Sequence, residues 1–142
     1  MNDKYFLDTN IFIYSFDTSN PEKQSIASKL IQEALDKHNG CTGFQVVQEF
    51  LNVATRKFES PLSSTDCQRY LNAVFEPLCE VFTNIELYHK SLDIMDRWKF
   101  SFYDSLIISA ALRANCAILF TEDLQHGQKV QNLKITNPFR KI

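Results

Sequence analysis

Two kinds of hydrophobic pattern alternate along the chain. Short apolar runs predict strands at 4–7, 41–43, 80–83, 117–120 and 133–136. Between them, apolar residues that recur every three or four positions predict helices from Pro21 to a stop at Asn39 and Gly40, and over 47–58, 63–75, 84–98 and 104–115. The segment 104–115 is apolar on nearly every side, which is typical of a buried helix.

The alternation of strands with helices predicts an α/β fold with three layers. We expect a short parallel sheet of four to five strands, flanked by helices and built by right-handed crossovers. The chain has 142 residues, of which 44% are hydrophobic and 23% charged, and this composition predicts a single domain over residues 1–142. In such sheets the functional crevice lies at the carboxyl ends of the strands.

Composition argues against several kinds of site. The three glycines, Gly40, Gly43 and Gly127, cannot supply the spacing of a dinucleotide-binding loop or a Walker A loop. The four cysteines include no Cys-x-x-Cys pair, and the three histidines stand apart from them, so we do not expect a zinc site. The formal net charge is −2, so nucleic acid would have to bind through local basic patches.

The amino terminus does not resemble a signal peptide. Asp3, Lys4 and Asp8 lie where an apolar run would be needed. Arg113 and Asn115 interrupt the most apolar stretch, 106–120, which is also too short to span a bilayer. We therefore expect a cytoplasmic protein with reduced thiols and no membrane contact.

Four acidic positions are unusual for solvated carboxylates. Asp8 directly follows the first predicted strand, and Asp123 follows the strand at 117–120 with Glu122 beside it. Glu49 and Asp104 lie at the margin of apolar helix faces. Each also has a structural explanation, because Asp8 and Asp104 are good helix N-caps and Glu49 can extend from a helix edge into water. The pattern alone leaves both explanations open.

Carboxylates that share one crevice repel one another, which raises their pKa values and opposes folding. A cation is needed to offset this repulsion. Oxygen ligands without cysteine or histidine favour a hard ion, Mg²⁺ or Mn²⁺. One such ion, or a pair, can activate water and stabilise a leaving alkoxide, so these acids predict hydrolysis of a phosphodiester.

Several segments together resemble the PIN domain, and within that family the VapC-type toxins of bacterial toxin–antitoxin pairs. They are DTNIFIY from Asp8, QEF around Glu49, YDSLIISAAL around Asp104, and ILFTEDLQHGQ followed by LKITNPF. The resemblance runs from Leu7 to Phe139. Each motif alone is weak, but their combination in this order is hard to obtain by chance.

The resemblance implies a fold, an activity and a set of site residues. It implies that Asp8, Glu49, Asp104 and Asp123 bind Mg²⁺ or Mn²⁺ and that the protein is an endoribonuclease acting on single-stranded RNA. Thr9, Asn10 and Thr121 match positions that support these acids. The resemblance also implies a homodimer and a small cognate antitoxin protein that blocks the site.

Two features stay open at this level. Glu122 occupies a variable place in the last motif, so either Glu122 or Asp123 can be the ligand, and the family spacing favours Asp123. Arg56, Arg97 and Lys99 are candidates for guiding the RNA backbone, although each alone is more simply a solvated charge.

Two other functions compete with a nuclease. A receiver-type phosphorylation module is also a small α/β domain with acids at strand ends, but Thr83 and Asn84 stand where a phospho-acceptor aspartate would be needed. A PIN-like scaffold that has lost catalysis and acts by protein binding is the second alternative. The complete set of four acids argues against it.

Overall fold

A six-stranded sheet forms the centre of the protein in a computed structural model that describes residues 2–140. The strands are β1 (Tyr5–Leu7), β2 (Gly40–Gly43), β3 (Cys79–Val81), β4 (Ile118–Phe120), β5 (Lys129–Val130) and β6 (Leu133–Thr136). Their order in the sheet is β3-β2-β1-β4-β6-β5. Five strands are parallel, and only β5 runs antiparallel to its neighbour β6. The expected parallel sheet is therefore confirmed, with one short antiparallel strand added at its edge.

Seven α-helices connect and flank the strands. They are α1 (Thr9–Tyr14), α2 (Pro21–Lys37), α3 (Phe44–Arg56), α4 (Ser64–Tyr70), α5 (Glu76–Leu78), α6 (Ile85–Trp98) and α7 (Phe102–Arg113), and a π-helical turn, Leu71–Phe75, joins α4 to α5. Asn20 and Asn84 cap α2 and α6 as expected, since their side chains accept hydrogen bonds from Lys23 N and Leu87 N. Within residues 2–140, no helix is both long enough and apolar enough to cross a membrane.

The structure corrects three details of the sequence prediction. A helix, α1, follows β1 directly, in a segment where the hydrophobic pattern predicts no helix. The predicted helix over 63–75 loses its regular form at Leu71. The helix predicted to begin at Asp104 begins at Phe102 instead, because the side chain of Ser101 accepts a hydrogen bond from Asp104 N and is the N-cap. Asp104 is therefore not a cap.

The arrangement of the core places the ends of two neighbouring strands, β1 and β4, at one edge of the sheet. Strand β1 lies between β2 and β4, and its three residues are all buried. Helix α7 has seven consecutive buried residues, 105–111, and it packs against α6, β2 and β4. The apolar stretch predicted to be a buried helix is confirmed. Because β1 and β4 are parallel neighbours, both deliver their carboxyl ends to the same edge.

Candidate active site

Asp8 lies at the carboxyl end of β1 and is the most buried acid of the candidate site, with 7% of its surface exposed. Its Oδ1 accepts a hydrogen bond from Thr9 N at 2.7 Å, and its Oδ2 accepts one from Thr121 Oγ1 at 2.7 Å. Asp8 is also the N-cap of α1, so the structural explanation of this residue is correct as well. Asp8 can cap α1 and also lie at the edge of the sheet, because α1 begins directly after β1 ends.

The environment of Asp8 disfavours its charge. Burial raises its pKa to about 6, and the carboxylates of Asp123 and Glu49 push it in the same direction. The hydrogen bonds from Thr121 and Thr9 act against this rise without cancelling it. A buried acid that is hard to ionise needs a cation nearby to be stable as a carboxylate.

Glu49 is held on α3 by two hydrogen bonds. Thr9 Oγ1 donates to its Oε2 at 2.7 Å, and Gln45 Nε2 donates to its Oε1 at 2.9 Å. Thr9 therefore touches two of the predicted acids, Asp8 through its backbone and Glu49 through its hydroxyl. Gln45 was missed by sequence reasoning, although it lies one helical turn before Glu49 and the i, i+4 spacing allows this contact.

Asp123 lies in the loop after β4, and its backbone N donates to Thr121 Oγ1 at 3.1 Å. Burial raises its pKa, and the charges of Asp104, Glu122 and Glu49 raise it further. Asp104 is partly buried on the first turn of α7. The charge of Glu49 acts on the pKa values of both Asp8 and Asp123, and that of Asp104 acts on the pKa of Asp123, so the four predicted acids lie in one region of the structure.

Asn10 adds an unpaired polar group to this region. Both of its amide atoms, Nδ2 and Oδ1, are buried and have no hydrogen-bond partner of good geometry. The amide nevertheless lies close enough to Asp123 to lower its pKa. A buried amide without partners costs free energy, so its retention here favours a function in ligand binding.

Glu122 points to a different set of partners than Asp123. Its carboxylate forms an ion pair with Lys23 and accepts a hydrogen bond from Tyr14 Oη at 2.6 Å. Burial by itself would raise the pKa of Glu122, but the contacts with Lys23 and Tyr14 outweigh it and lower the pKa. Both oxygens are thus occupied by protein donors. Sequence reasoning identified neither Tyr14 nor Lys23, because they are distant from Glu122 in the chain.

The three predicted RNA-contacting cations all lie on the surface. Arg56 ends α3, and Lys99 follows α6 in the left-handed conformation with φ 63°. The guanidinium of Arg97 lies 5.9 Å from the centre of the Trp98 ring. Within residues 2–140, none of the three forms an ion pair with a carboxylate, so their charges are not neutralised locally.

The residues of the site fit a hard divalent cation by their chemistry. The donor atoms are carboxylate oxygens, and a buried amide oxygen of Asn10 lies beside them. Within residues 2–140, no group of three or more Asp, Glu, His or Cys side chains is close enough to hold an ion as the side chains stand. Asp123 is exposed, so its side chain has room to rotate toward the acids that Thr9, Thr121 and Gln45 hold in place.

Comparison with known proteins agrees with this fold. The sequence matches the PIN domain over residues 5–130. The structure is similar to a toxin–antitoxin complex from Klebsiella pneumoniae, with 14% identity, 95% of this chain and 98% of that chain covered, and a TM-score of 0.65. It is also similar to VapBC-1 from nontypeable Haemophilus influenzae, with 22% identity, 96% and 98% covered, and a TM-score of 0.61. No curated protein sequence matches significantly.

The matched segment covers most of the chain and includes all four predicted acids. It also includes every strand of the sheet except β6, which follows it. The chain belongs to the PIN domain family, which is a family of nucleases. Membership in this family excludes the receiver-type alternative.

Proposed function

We propose that the protein is a metal-dependent endoribonuclease that cleaves single-stranded RNA and serves as the toxin of a toxin–antitoxin pair. The observation that carries this proposal is the environment of Asp8, a buried carboxylate whose pKa is raised to about 6 beside other acids. Such an arrangement is unfavourable without a cation, and it lies at the edge of the sheet where α/β folds place their sites. The competing hypothesis is a PIN-like scaffold that has lost catalysis and acts by protein binding, and the test below separates the two.

Asp8, Glu49, Asp104 and Asp123 would hold Mg²⁺ or Mn²⁺. A bound ion of this kind lowers the pKa of water and stabilises the leaving oxygen of a phosphodiester. The chain supplies orientation: Thr121 and Thr9 fix the two oxygens of Asp8, while Thr9 and Gln45 fix those of Glu49. Hydrogen bonds to acidic ligands of this kind tune the affinity of the ion.

The substrate would approach along a surface that carries unpaired cations. An acidic site on a protein of net charge −2 repels a phosphate backbone unless basic side chains guide it. Arg56, Arg97 and Lys99 are exposed and are assigned this contact. Guidance by surface charge predicts that RNA binding weakens steeply as salt rises.

We assign two protein partners, a second copy of the chain and a small cognate antitoxin in the cytoplasm. The similar structures named above are toxin–antitoxin assemblies by their descriptions. Large apolar side chains that remain exposed, Phe82, Ile85 and Tyr103 at 67–71% exposure, provide surface suited to protein contacts.

The test is cleavage of an unstructured RNA by purified protein, with Asp8→Asn and Asp96→Asn variants. Asp96 is an exposed acid on α6 and serves as the matched control. We expect cleavage by the wild type and by Asp96→Asn with Mg²⁺ or Mn²⁺, none in EDTA, and none by Asp8→Asn. Equal activity of Asp8→Asn would refute the assigned site, and no cleavage of any RNA by the wild type would favour the inactive scaffold.

A further inference from the structure

Four side chains from distant segments meet beside the loop that carries Asp123. Glu122 accepts a hydrogen bond from Tyr14 Oη at 2.6 Å and pairs with Lys23, whose Nζ also donates to Tyr14 Oη at 3.1 Å. The Tyr14 ring contacts the Phe139 ring edge-on, with 4.9 Å between their centres. Lys23 Nζ lies 4.5 Å from the centre of the Tyr14 ring and 5.4 Å from that of Phe139. We name these four residues the Glu122 cluster.

The Glu122 cluster joins four parts of the fold at one point. Tyr14 is the last residue of α1, Lys23 lies in the first turn of α2, and Phe139 lies near the carboxyl end of the described chain. Side chains of Lys23 and Glu122 are about seven-tenths buried, with 29% and 27% exposed. Partial burial and three mutual contacts make this arrangement more restrictive than a single surface ion pair.

The loop after β4 is thereby held on two sides, through the two residues that precede Asp123. On one side, Thr121 Oγ1 donates to Asp8 and accepts from Asp123 N. On the other side, Glu122 is drawn toward Tyr14 and Lys23. Because Thr121 and Glu122 are both anchored and Asp123 follows them directly in a bend of the chain, the two anchors restrict the backbone position from which the Asp123 carboxylate extends.

We propose that Tyr14, Lys23 and Glu122 are positioning residues that fix the loop after β4 and thereby hold the Asp123 carboxylate in the candidate site. This inference rests on the proposed function, because it treats Asp123 as a ligand of the catalytic ion. Glu122 acts here through the protein and is not assigned to the ion, because Lys23 already neutralises its charge, whereas the hydrogen bonds that Asp8 and Glu49 accept come from uncharged donors.

The test compares Tyr14→Phe and Glu122→Gln with the control Glu80→Gln. Tyr14→Phe keeps the ring that packs on Phe139 and removes only the hydroxyl. Glu80 forms an ion pair with Lys4 at 2.6 Å outside the Glu122 cluster, and the exposures of 29% and 42% are similar, so its substitution removes a comparable ion pair from elsewhere on the surface.

Two readouts separate positioning from general stability. The first is hydrogen exchange of the backbone amides of residues 121–126 in EDTA, which we expect to be roughly tenfold faster in both cluster variants and unchanged in Glu80→Gln. The second is the Mn²⁺ concentration that gives half of the maximal thermal stabilisation, which we expect to rise roughly tenfold in the cluster variants only.

Each outcome decides a separate claim. Exchange rates equal to those of the wild type would overturn the inference, and so would faster exchange with an unchanged Mn²⁺ requirement, since the cluster would then only stabilise the loop. A wild type that shows no stabilisation by Mn²⁺ refutes the proposed function instead. In that case the exchange rates alone decide whether the cluster holds the loop.

Discussion

Replacing Asp8 with asparagine removes the charge from the most buried acid of the site while preserving its shape. The asparagine Oδ1 can accept the hydrogen bond that Asp8 accepts from Thr9 N, so the cap of α1 is kept. Its Nδ2 can donate to Thr121 Oγ1, which reverses the direction of the present bond. The substitution therefore deletes a charge with little loss of packing.

The expected gain in stability follows from the pKa of Asp8. A rise from the ordinary value of 3.8 to about 6 corresponds to about 3 kcal/mol of destabilisation by the ionised form at high pH. Between pH 4 and pH 6 the folded protein binds more protons than the unfolded chain, so wild-type stability falls as pH rises through this range. Asp8→Asn lacks this loss. The variant should thus be about as stable as the wild type near pH 4 and up to about 3 kcal/mol more stable at pH 8.

Urea unfolding in EDTA at pH 4.5, 6 and 8 measures this difference. At pH 8 the corresponding increase in Tm is roughly 6–12 °C for a chain of this length. Glu122→Gln is the control of opposite sign, because the pKa of Glu122 is lowered by Lys23 and its neutralisation should destabilise the protein at pH 8. Asp8→Asn that is less stable than the wild type at pH 8, or a difference that does not change with pH, would refute the reasoning.

Substitutions at three further positions, Thr121, Ser101 and Asp104, test the groups around these acids. Thr121→Val removes the hydroxyl that donates to Asp8 and accepts from Asp123 N. We expect a still higher pKa for Asp8, a loss of about 1–2 kcal/mol in the free energy of unfolding measured with urea, and weaker RNA cleavage. Thr121→Ser keeps the hydroxyl and should restore all three. Ser101→Ala removes the cap of α7 and should cost about 1 kcal/mol, whereas Asp104→Asn should cost none in EDTA because it is not the cap and relieves repulsion with Asp123. A larger loss for Asp104→Asn than for Ser101→Ala would contradict this assignment.

The elements with strong periodicity were predictable from the sequence. Helix α7 and strand β4 follow from the apolar stretch that contains them, and Asn84 marks the start of α6 because its short side chain is suited to capping. Helix α1 was not predictable in the same way. Its six residues, TNIFIY, are too few to show a helical period, and its start depends on the sheet that positions Asp8.

Some residues of the candidate site were predictable from the sequence, and others were not. Acids that follow strands or interrupt apolar helix faces stand out in the sequence, which is why Asp8 and Asp104 could be selected. Residue type could not separate Glu122 from Asp123, because they are neighbouring acids, and only the family spacing favoured Asp123 as the ligand. Their difference depends on Tyr14 and Lys23, which approach only after α1 and α2 pack beside the loop. Contacts of this kind are set by the tertiary fold and leave no local signal.

The products of RNA cleavage test the central claim most directly. If the acids hold an ion that activates water, water attacks the phosphorus, the bond to the 3′-oxygen breaks, and the products carry a 3′-hydroxyl and a 5′-phosphate. Attack by the neighbouring 2′-hydroxyl instead expels the 5′-oxygen, which leaves a 5′-hydroxyl and a 2′,3′-cyclic phosphate that can open to a linear 3′-phosphate. We therefore propose digestion of a single-stranded RNA with Mn²⁺ and with EDTA, followed by mass spectrometry of the product ends. We expect 5′-phosphate and 3′-hydroxyl ends in Mn²⁺ and intact RNA in EDTA. Cyclic or 3′-phosphate ends with a 5′-hydroxyl, or equal cleavage in EDTA, would contradict the proposed mechanism.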